Sequence, residues 1–216
     1  MAIVELDFSL EIENNGNPTL LSSREASFIE TVRMRADEIS QYNPNLPGLL
    51  SSDPAQFSHV LKRLTDEAIL NGQHFCEWGS GIGMIAGLAA INGFDAYGIE
   101  ADSVLYWEAG KLVKAFALNV VFAQGSFVPA ESTGRFVVNG TFGATDWAPT
   151  EHRDLYAELG QPLSEMNLVY AYPWPREVPF YQALFDLVAC EGAVLWLYRH
   201  GSAPKLLQKV SNTVTE

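Results

Sequence analysis

The chain has 216 residues, 48% of them hydrophobic and 12% aromatic, enough for the core of one α/β domain with an N-terminal extension. A formal net charge of −13 repels phosphate backbones and so disfavours nucleic acid as a partner. No apolar run reaches the ~18 residues of a membrane span, and no basic, apolar leader is read at the N-terminus, so a cytoplasmic protein is expected.

Near the start, Val4, Leu6, Phe8, Leu10 and Ile12 alternate with Glu5, Asp7, Ser9, Glu11 and Glu13, the period-two pattern of a strand with one buried face. Turn residues from Asn14 to Pro18 end it. This strand is expected to pair at a sheet edge or across a homodimer. Ser22 followed by Glu25 is a capping-box pattern that predicts a helix over 23–41, with Phe28, Ile29, Val32, Met34, Ala36 and Ile39 forming an imperfect apolar face. Pro44, Pro47 and Gly48 break the chain; Asp53 and Pro54 then read as an N-cap and first helical residue. Phe57, Val60, Leu61, Leu64, Ala68 and Ile69 recur at helical spacing and predict a helix over 54–70. Residues 1–53 are read as an extension able to cover a ligand, and 54–216 as the main domain.

The stretch from His74 to Glu100 carries the chemistry. A short buried strand ending in Glu77 passes into a turn with glycines at 79, 81 and 83, where absent side chains let the backbone approach a ligand closely. A helix beginning near Ile82 would aim its first amides at that ligand. After Asn92 and Gly93, a second strand from Ala96 to Ile99 delivers Glu100 to the position where an α/β crevice needs an acceptor for a ribose diol. The glycines fall at every second position, unlike the Gly-x-Gly-x-x-Gly of dinucleotide sites, which argues against a nicotinamide-dependent oxidoreductase. Cys76 lies within the first of these strands and Cys190 in another apolar run; they read as separate buried thiols, with no metal site.

Acid-x-Gly-x-Gly-x-Gly, with a second acid 17 residues after the last glycine, resembles the signature of class I S-adenosyl-L-methionine (SAM) methyltransferases. The resemblance implies a Rossmann-like α/β fold: a three-layer α/β/α sandwich around a mostly parallel sheet, with the N-terminal strand and helices added to it. It implies SAM as the cofactor and S-adenosyl-L-homocysteine as its product. By the same resemblance Glu77, Gly79, Gly81 and Gly83 line the cofactor, and Glu100, followed by Ala101, meets the ribose. Ser51, Ser52 and Asp53 would meet its methionyl end, or serve simply as a helix cap.

A helix follows Glu100, and Asn119 to Ala123 reads as the third strand. The family usually carries a Gly-Asp pair after that strand to contact the adenine amine; here Gly125 is followed by Ser126, whose hydroxyl takes that role, with Phe127 against the ring. Residues 128–165 form a connection longer than the roughly 12–15 residues common in compact domains. It should hold a short strand over 135–139 and a short helix over 151–159, and its Phe142, Asp146, Trp147, His152 and Tyr156 suit either a substrate lid or a surface elaboration.

The fourth strand, Asn167 to Ala171, leads into Tyr172-Pro173-Trp174-Pro175. Methyltransferases acting on base or glutamine amide nitrogens often have Asn/Asp-Pro-Pro-aromatic here, so Tyr172 argues for a small-molecule or protein side-chain acceptor. A helix from Phe180 to Ala189 and a fifth strand from Ala193 to Tyr198 follow. Only 16 residues come after His200, too few for the helix and two antiparallel strands that usually end the family's sheet. The C-terminal end is therefore shortened, and either the sheet is minimal or the N-terminal strand completes it.

Methyl transfer is an in-line displacement that depends on alignment of donor and acceptor. Tyr172 is the candidate to orient the acceptor, and His200 the candidate base, since imidazole titrates near neutrality. A tyrosine before proline also serves plain packing, and a histidine at a strand end is also found simply solvated. The alternative is a catalytically inactive SAM- or nucleoside-binding regulatory protein.

Overall fold

The computed structural model describes residues 2–7, 21–43, 52–129, 132, 153–199 and 204–211. Along the chain lie β1 (Ala2–Glu5), α1 (Ser23–Tyr42), α2 (Pro54–Asp66), β2 (His74–Trp78), α3 (Met84–Ile91), β3 (Asp95–Glu100), α4 (Ser103–Ala115) and β4 (Val120–Gln124). They are followed by α5 (Leu155–Leu159), a 3-10 turn (Leu163–Glu165), β5 (Leu168–Ala171), α6 (Val178–Val188), β6 (Val194–Leu197) and β7 (Lys205–Val210).

The seven strands form one sheet in the order β1-β7-β6-β5-β2-β3-β4. β4, β3, β2, β5 and β6 are mutually parallel, and β7 runs antiparallel to both β6 and β1. β5 and β6 are buried throughout and β2 beyond His74, as expected of parallel strands covered on both faces. One face, with Phe75, Tyr170, Trp196 and Leu206, packs against α1, α2, α3 and Leu112 of α4. The other, with Cys76, Trp78, Val169 and Leu195, packs against α5 and α6. This is the expected α/β/α sandwich.

Of the two endings compatible with the sequence, the structure has the one in which the N-terminal strand completes the sheet. β1 pairs with β7 from Ala2 opposite Val210 to Glu5 opposite Leu207, at the edge of its own sheet. The last residues supply the antiparallel β7, anchored by buried Lys209, whose ammonium donates to the backbone oxygen and carboxylate of Asp186 on α6. Residues 8–20, the expected strand at 135–139 and His200 lie outside the described residues.

Local signals set the helix boundaries. Both limbs of the Ser22–Glu25 capping box form, and Asp53 caps α2 with Pro54 in its first turn. Met34, expected on the apolar face of α1, is instead exposed, while Phe28, Ile29, Val32, Ala36 and Ile39 are buried. α2 ends at Asp66, four residues before its expected end: Ala68 adopts φ 53°, and the Ile69 amide donates back to the Leu64 carbonyl, turning Ile69 and Leu70 onto the core from outside the helix. The guanidinium of Arg35 on α1 grips Glu108 of α4 with two bonds of 2.7 and 2.9 Å, holding the outer helices together. Among the described residues no helix is long and apolar enough to cross a membrane.

Candidate functional site

The glycine turn is built by its neighbours. Gly79, Gly81 and Gly83 have φ values of 76°, 54° and 78°, a left-handed backbone that side chains with a Cβ adopt only at a cost. The Gly79 and Ser80 amides both donate to the Ile99 carbonyl, at 2.9 and 3.0 Å, which clips the turn to the end of β3. The three glycines differ in their surroundings. A Cβ on Gly83 would meet the Phe122 ring at 2.7 Å, whereas on Gly79 or Gly81 it would meet nothing within 4 Å. Gly83 therefore serves packing, and Gly79 and Gly81 border open space. Gly98 on β3 serves the same close approach, since a Cβ there would stand 2.9 Å from the Cβ of Ser80.

Glu77 lies beneath this turn. It is buried, and its carboxylate accepts the Ala86 amide at 2.9 Å. The α3 helix starts at Met84, two residues later than expected, with Gly83 as an N-cap that has no side chain to offer. Glu77 supplies the missing cap from the adjacent strand and takes up one of the first-turn amides expected to face a ligand. Burial pushes its carboxyl well above the usual range, a rise that the Ala86 bond opposes and the nearby Glu100 adds to.

Glu100 closes the other side of the turn. Its carboxylate accepts the Gly81 amide at 2.7 Å and the Asp102 amide at 2.9 Å. Burial raises its pKa against the pull of those bonds. Ala101 beside it is exposed, and Asp102 caps α4. The Gly125 amide donates to the Glu100 carbonyl at 2.9 Å, bringing the turn after β4 alongside. In that turn the Ser126 hydroxyl accepts the Val128 amide at 3.2 Å. The Phe127 ring is buried and stacks on Trp78 at 5.1 Å between centroids.

A cluster of tyrosines occupies the carboxyl ends of β5 and β6. Tyr170, buried and opposite Glu77 in the parallel register, donates to the Ser52 hydroxyl at 2.8 Å. The Tyr198 hydroxyl accepts the Asp53 amide at 3.0 Å, and its ring meets that of Tyr172 edge to face at 5.1 Å. Burial raises the pKa of both Tyr170 and Tyr198, which keeps their phenols neutral. Tyr172 is 41% exposed and Trp174 65% exposed at this rim. Trp174 is presented by a tight turn in which its amide donates to the Glu177 carboxylate and its carbonyl accepts the Glu177 amide.

The structure thus brings Gly79, Gly81, Gly83, Glu100, Ala101 and Ser126 around one end of the sheet, with Tyr172 at the same carboxyl-end rim. It sets Glu77 and Phe127 beneath that surface. Sequence reasoning missed Trp78, Tyr170 and Gly98; the signal available for Tyr170 was a polar-tipped ring inside an otherwise apolar strand, directly across from an acid. A cavity of about 720 Å³ lies elsewhere, lined by Pro129, Asp154, Gln161 and Leu187 among others. No cluster of three or more His, Cys, Asp or Glu side chains suited to a metal occurs among the described residues.

Two solved structures share this architecture, and a third is similar over much of its length. The O-methyltransferase of Bacillus cereus, determined with SAH, aligns with a TM-score of 0.51 at 13% identity over 82% of this chain, which spans 66% of that one. The two chains share a Rossmann-like α/β fold. A hypothetical protein of Thermus thermophilus gives a TM-score of 0.50 at 14% identity, covering 77% of this chain and 92% of that one. An RNA methyltransferase of Salinibacter ruber, in complex with S-adenosyl-L-homocysteine, gives 0.47 at 18% identity, covering 73% and 94%. No family model and no curated protein matches the chain in sequence.

Proposed function

We propose that this chain is a SAM-dependent methyltransferase. The observation that carries the reading is the opening over Gly79 and Gly81 beside a carboxylate. Both glycines border space that a side chain would fill, and beside them the Glu100 carboxylate accepts the Gly81 and Asp102 amides and also attracts the Ala101 amide, without exhausting its roughly four acceptor positions. The remaining acceptor capacity suits a vicinal diol. In this reading Gly79 and Gly81 flank the methionyl part, Glu100 and Ala101 the ribose, and the turn at Ser126 and Phe127 the base, while Glu77 fixes α3 behind them. The solved B. cereus O-methyltransferase carries SAH on the same fold, which supports the choice of ligand.

When bound, SAM would supply a methyl group on a sulfonium for transfer to the acceptor's lone pair, with the S–CH₃ bonding pair left on sulfur. The protein has to align the acceptor and keep water away. Tyr172 orients the acceptor through its hydroxyl, with the Tyr198 ring against its own. His200 is proposed to take the acceptor's proton where one must leave. The net charge of −13 supports a small molecule or a protein side chain as the acceptor. Residues 54–216 are read as the cofactor-binding domain with an insertion at 128–165, and 1–53 as an extension that lends β1 and α1. Two unpaired cysteines fit a cytoplasmic setting.

Calorimetric titration with SAM, S-adenosyl-L-homocysteine and NADH tests this. Micromolar binding of the first two and none of NADH is expected. Absence of binding by either sulfur nucleoside would overturn the proposal.

A further inference from the structure

The described end of the long connection between β4 and β5 lies under the candidate site, not over it. Tyr156, the second residue of α5, is buried, and its hydroxyl joins the end of β2 to the turn that follows β4. It accepts the indole N–H of Trp78 at 3.0 Å and donates to the Phe127 carbonyl at 2.7 Å. Trp78 immediately precedes Gly79, and Phe127 ends the turn that begins at Gly125. The Trp78 and Phe127 rings stack nearly parallel, with 10° between their planes. Beside them, Leu155 packs so closely beneath Gly125 that a Cβ there would stand 2.9 Å from its Cδ1.

We infer that Tyr156 is a positioning residue for the nucleoside end of the site. Its hydroxyl, acting as acceptor on one side and donor on the other, sets the distance between the glycine turn and the turn at 125–127. The inference rests on the reading that a nucleoside lies between those two turns. Three observations favour a positioning role over simple filling of the core. Both bonds are made by one atom, so neither segment can shift without straining the other. The carbonyl it holds is backbone, so the bond fixes the path of the turn and not merely a side chain. The helix that carries it has only five residues, too few to persist alone, yet both ends are fastened: Asp154 accepts the Tyr156 and Ala157 amides, and Gly160 closes the C-terminus with φ 72°. The connection thus delivers one hydroxyl to a defined place, and selectivity for the base becomes a property of α5.

The test uses the full chain and two ligands differing only at the base, S-adenosylhomocysteine and S-inosylhomocysteine, which carry a 6-amino and a 6-oxo group. Wild type is expected to prefer the first by at least tenfold. Tyr156→Phe keeps the ring but removes both bonds; the preference should fall below threefold while the Kd for S-adenosylhomocysteine rises at least fivefold. Trp78→Phe removes the indole donor, retains an aromatic ring for the stack with Phe127, and should reduce the preference in the same direction; it decides the matter if Tyr156→Phe does not fold. A role confined to packing would lower the melting temperature and leave the preference unchanged, which would overturn the inference alone, as would a wild type that binds both ligands equally. A wild type that binds neither ligand would overturn the reading on which the inference rests, and the inference with it.

Discussion

Tyr170 near the carboxyl end of β5 and Ser52, the residue before the cap of α2, are joined hydroxyl to hydroxyl at 2.8 Å. Together with the Asp53 amide on Tyr198, this bond fastens the chain entering α2 to the carboxyl ends of β5 and β6, beside the proposed acceptor position. Removing a partly buried hydrogen bond of this kind typically costs about 1 kcal/mol. Tyr170→Phe and Ser52→Ala should each lower stability by about that amount, and the double variant by no more than either alone. Denaturant titration of the four proteins measures the coupling; fully additive losses would mean that the bond contributes nothing.

The glycines of the turn should separate stability from binding. Gly83→Ala forces a Cβ against Phe122 and Ala109 and should destabilise the fold severely. Gly81→Ala meets no protein atom, so it should cost only the about 1–2 kcal/mol of a left-handed alanine. Its effect should appear in SAM affinity, reduced at least tenfold. Thermal melts paired with calorimetry distinguish the two, and equal binding by Gly81→Ala and wild type would remove the turn from the ligand site.

Glu100→Ala should weaken SAM binding by more than tenfold. A pH dependence accompanies this. Burial raises the folded-state pKa of Glu100, and only the anion offers full acceptor capacity to a diol. Affinity should therefore start to fall, as the pH is lowered, above the ~4.3 of an ordinary glutamate. The free protein has the opposite sign: for Glu77 and Glu100, whose folded pKa values are raised, stability is greatest at low pH and declines as pH rises from the unfolded value through the folded one. Calorimetry and melting over one pH series read both trends.

Glu108 supplies the contrary case. Its bonds to Arg35 are the largest cause holding its pKa down, to about 2. The stability it contributes is present in full above the unfolded carboxylate value and is lost as pH falls through about 2. Because Arg35 is partly exposed and screened by solvent, Glu108→Gln should cost only about 1–2 kcal/mol at neutral pH. Wild type and variant should converge at low pH, which urea denaturation at several pH values would reveal. A constant gap would place the effect in packing.

Tyr172→Phe should lower turnover more than it lowers SAM affinity, since the hydroxyl is assigned to the acceptor and not the cofactor. Once an acceptor is identified, steady-state kinetics beside calorimetry provide the comparison. An unaltered rate would take the hydroxyl out of the mechanism.

How much of this was legible in the sequence follows from how local each cause is. The Ser22–Glu25 box and the Asp53–Pro54 cap are written within four residues, and both form. The glycines with their two acids mark a turn between parallel strands, because the left-handed backbone and the sheet register demand those residue types. Glu77 shows where such reading stops. An acid before a glycine run resembles a ligand contact, and the sequence did not show that its carboxylate also accepts the Ala86 amide, in place of the side chain that the N-cap at Gly83 lacks. β7 was hidden for a related reason: Lys209 is buried within it, breaking the apolar alternation, and its partner Asp186 lies on a helix before the preceding strand. Tyr156 could be listed as an aromatic of the connection, but its link to Trp78 exists only once the sheet has formed.

The pairing of Ala2 with Val210 has a consequence for the order of folding. β1 is made before the other strands of the sheet, yet its neighbour is the last of them to be made. Until β7 has been synthesised, β1 lacks its partner strand, whereas β2 to β6 pair through contacts nearer in sequence. Closing that loop carries the entropic cost of a long-range contact, which in other proteins accompanies late and slow steps. The edge of the sheet is thus a seam that joins the two ends of the described chain.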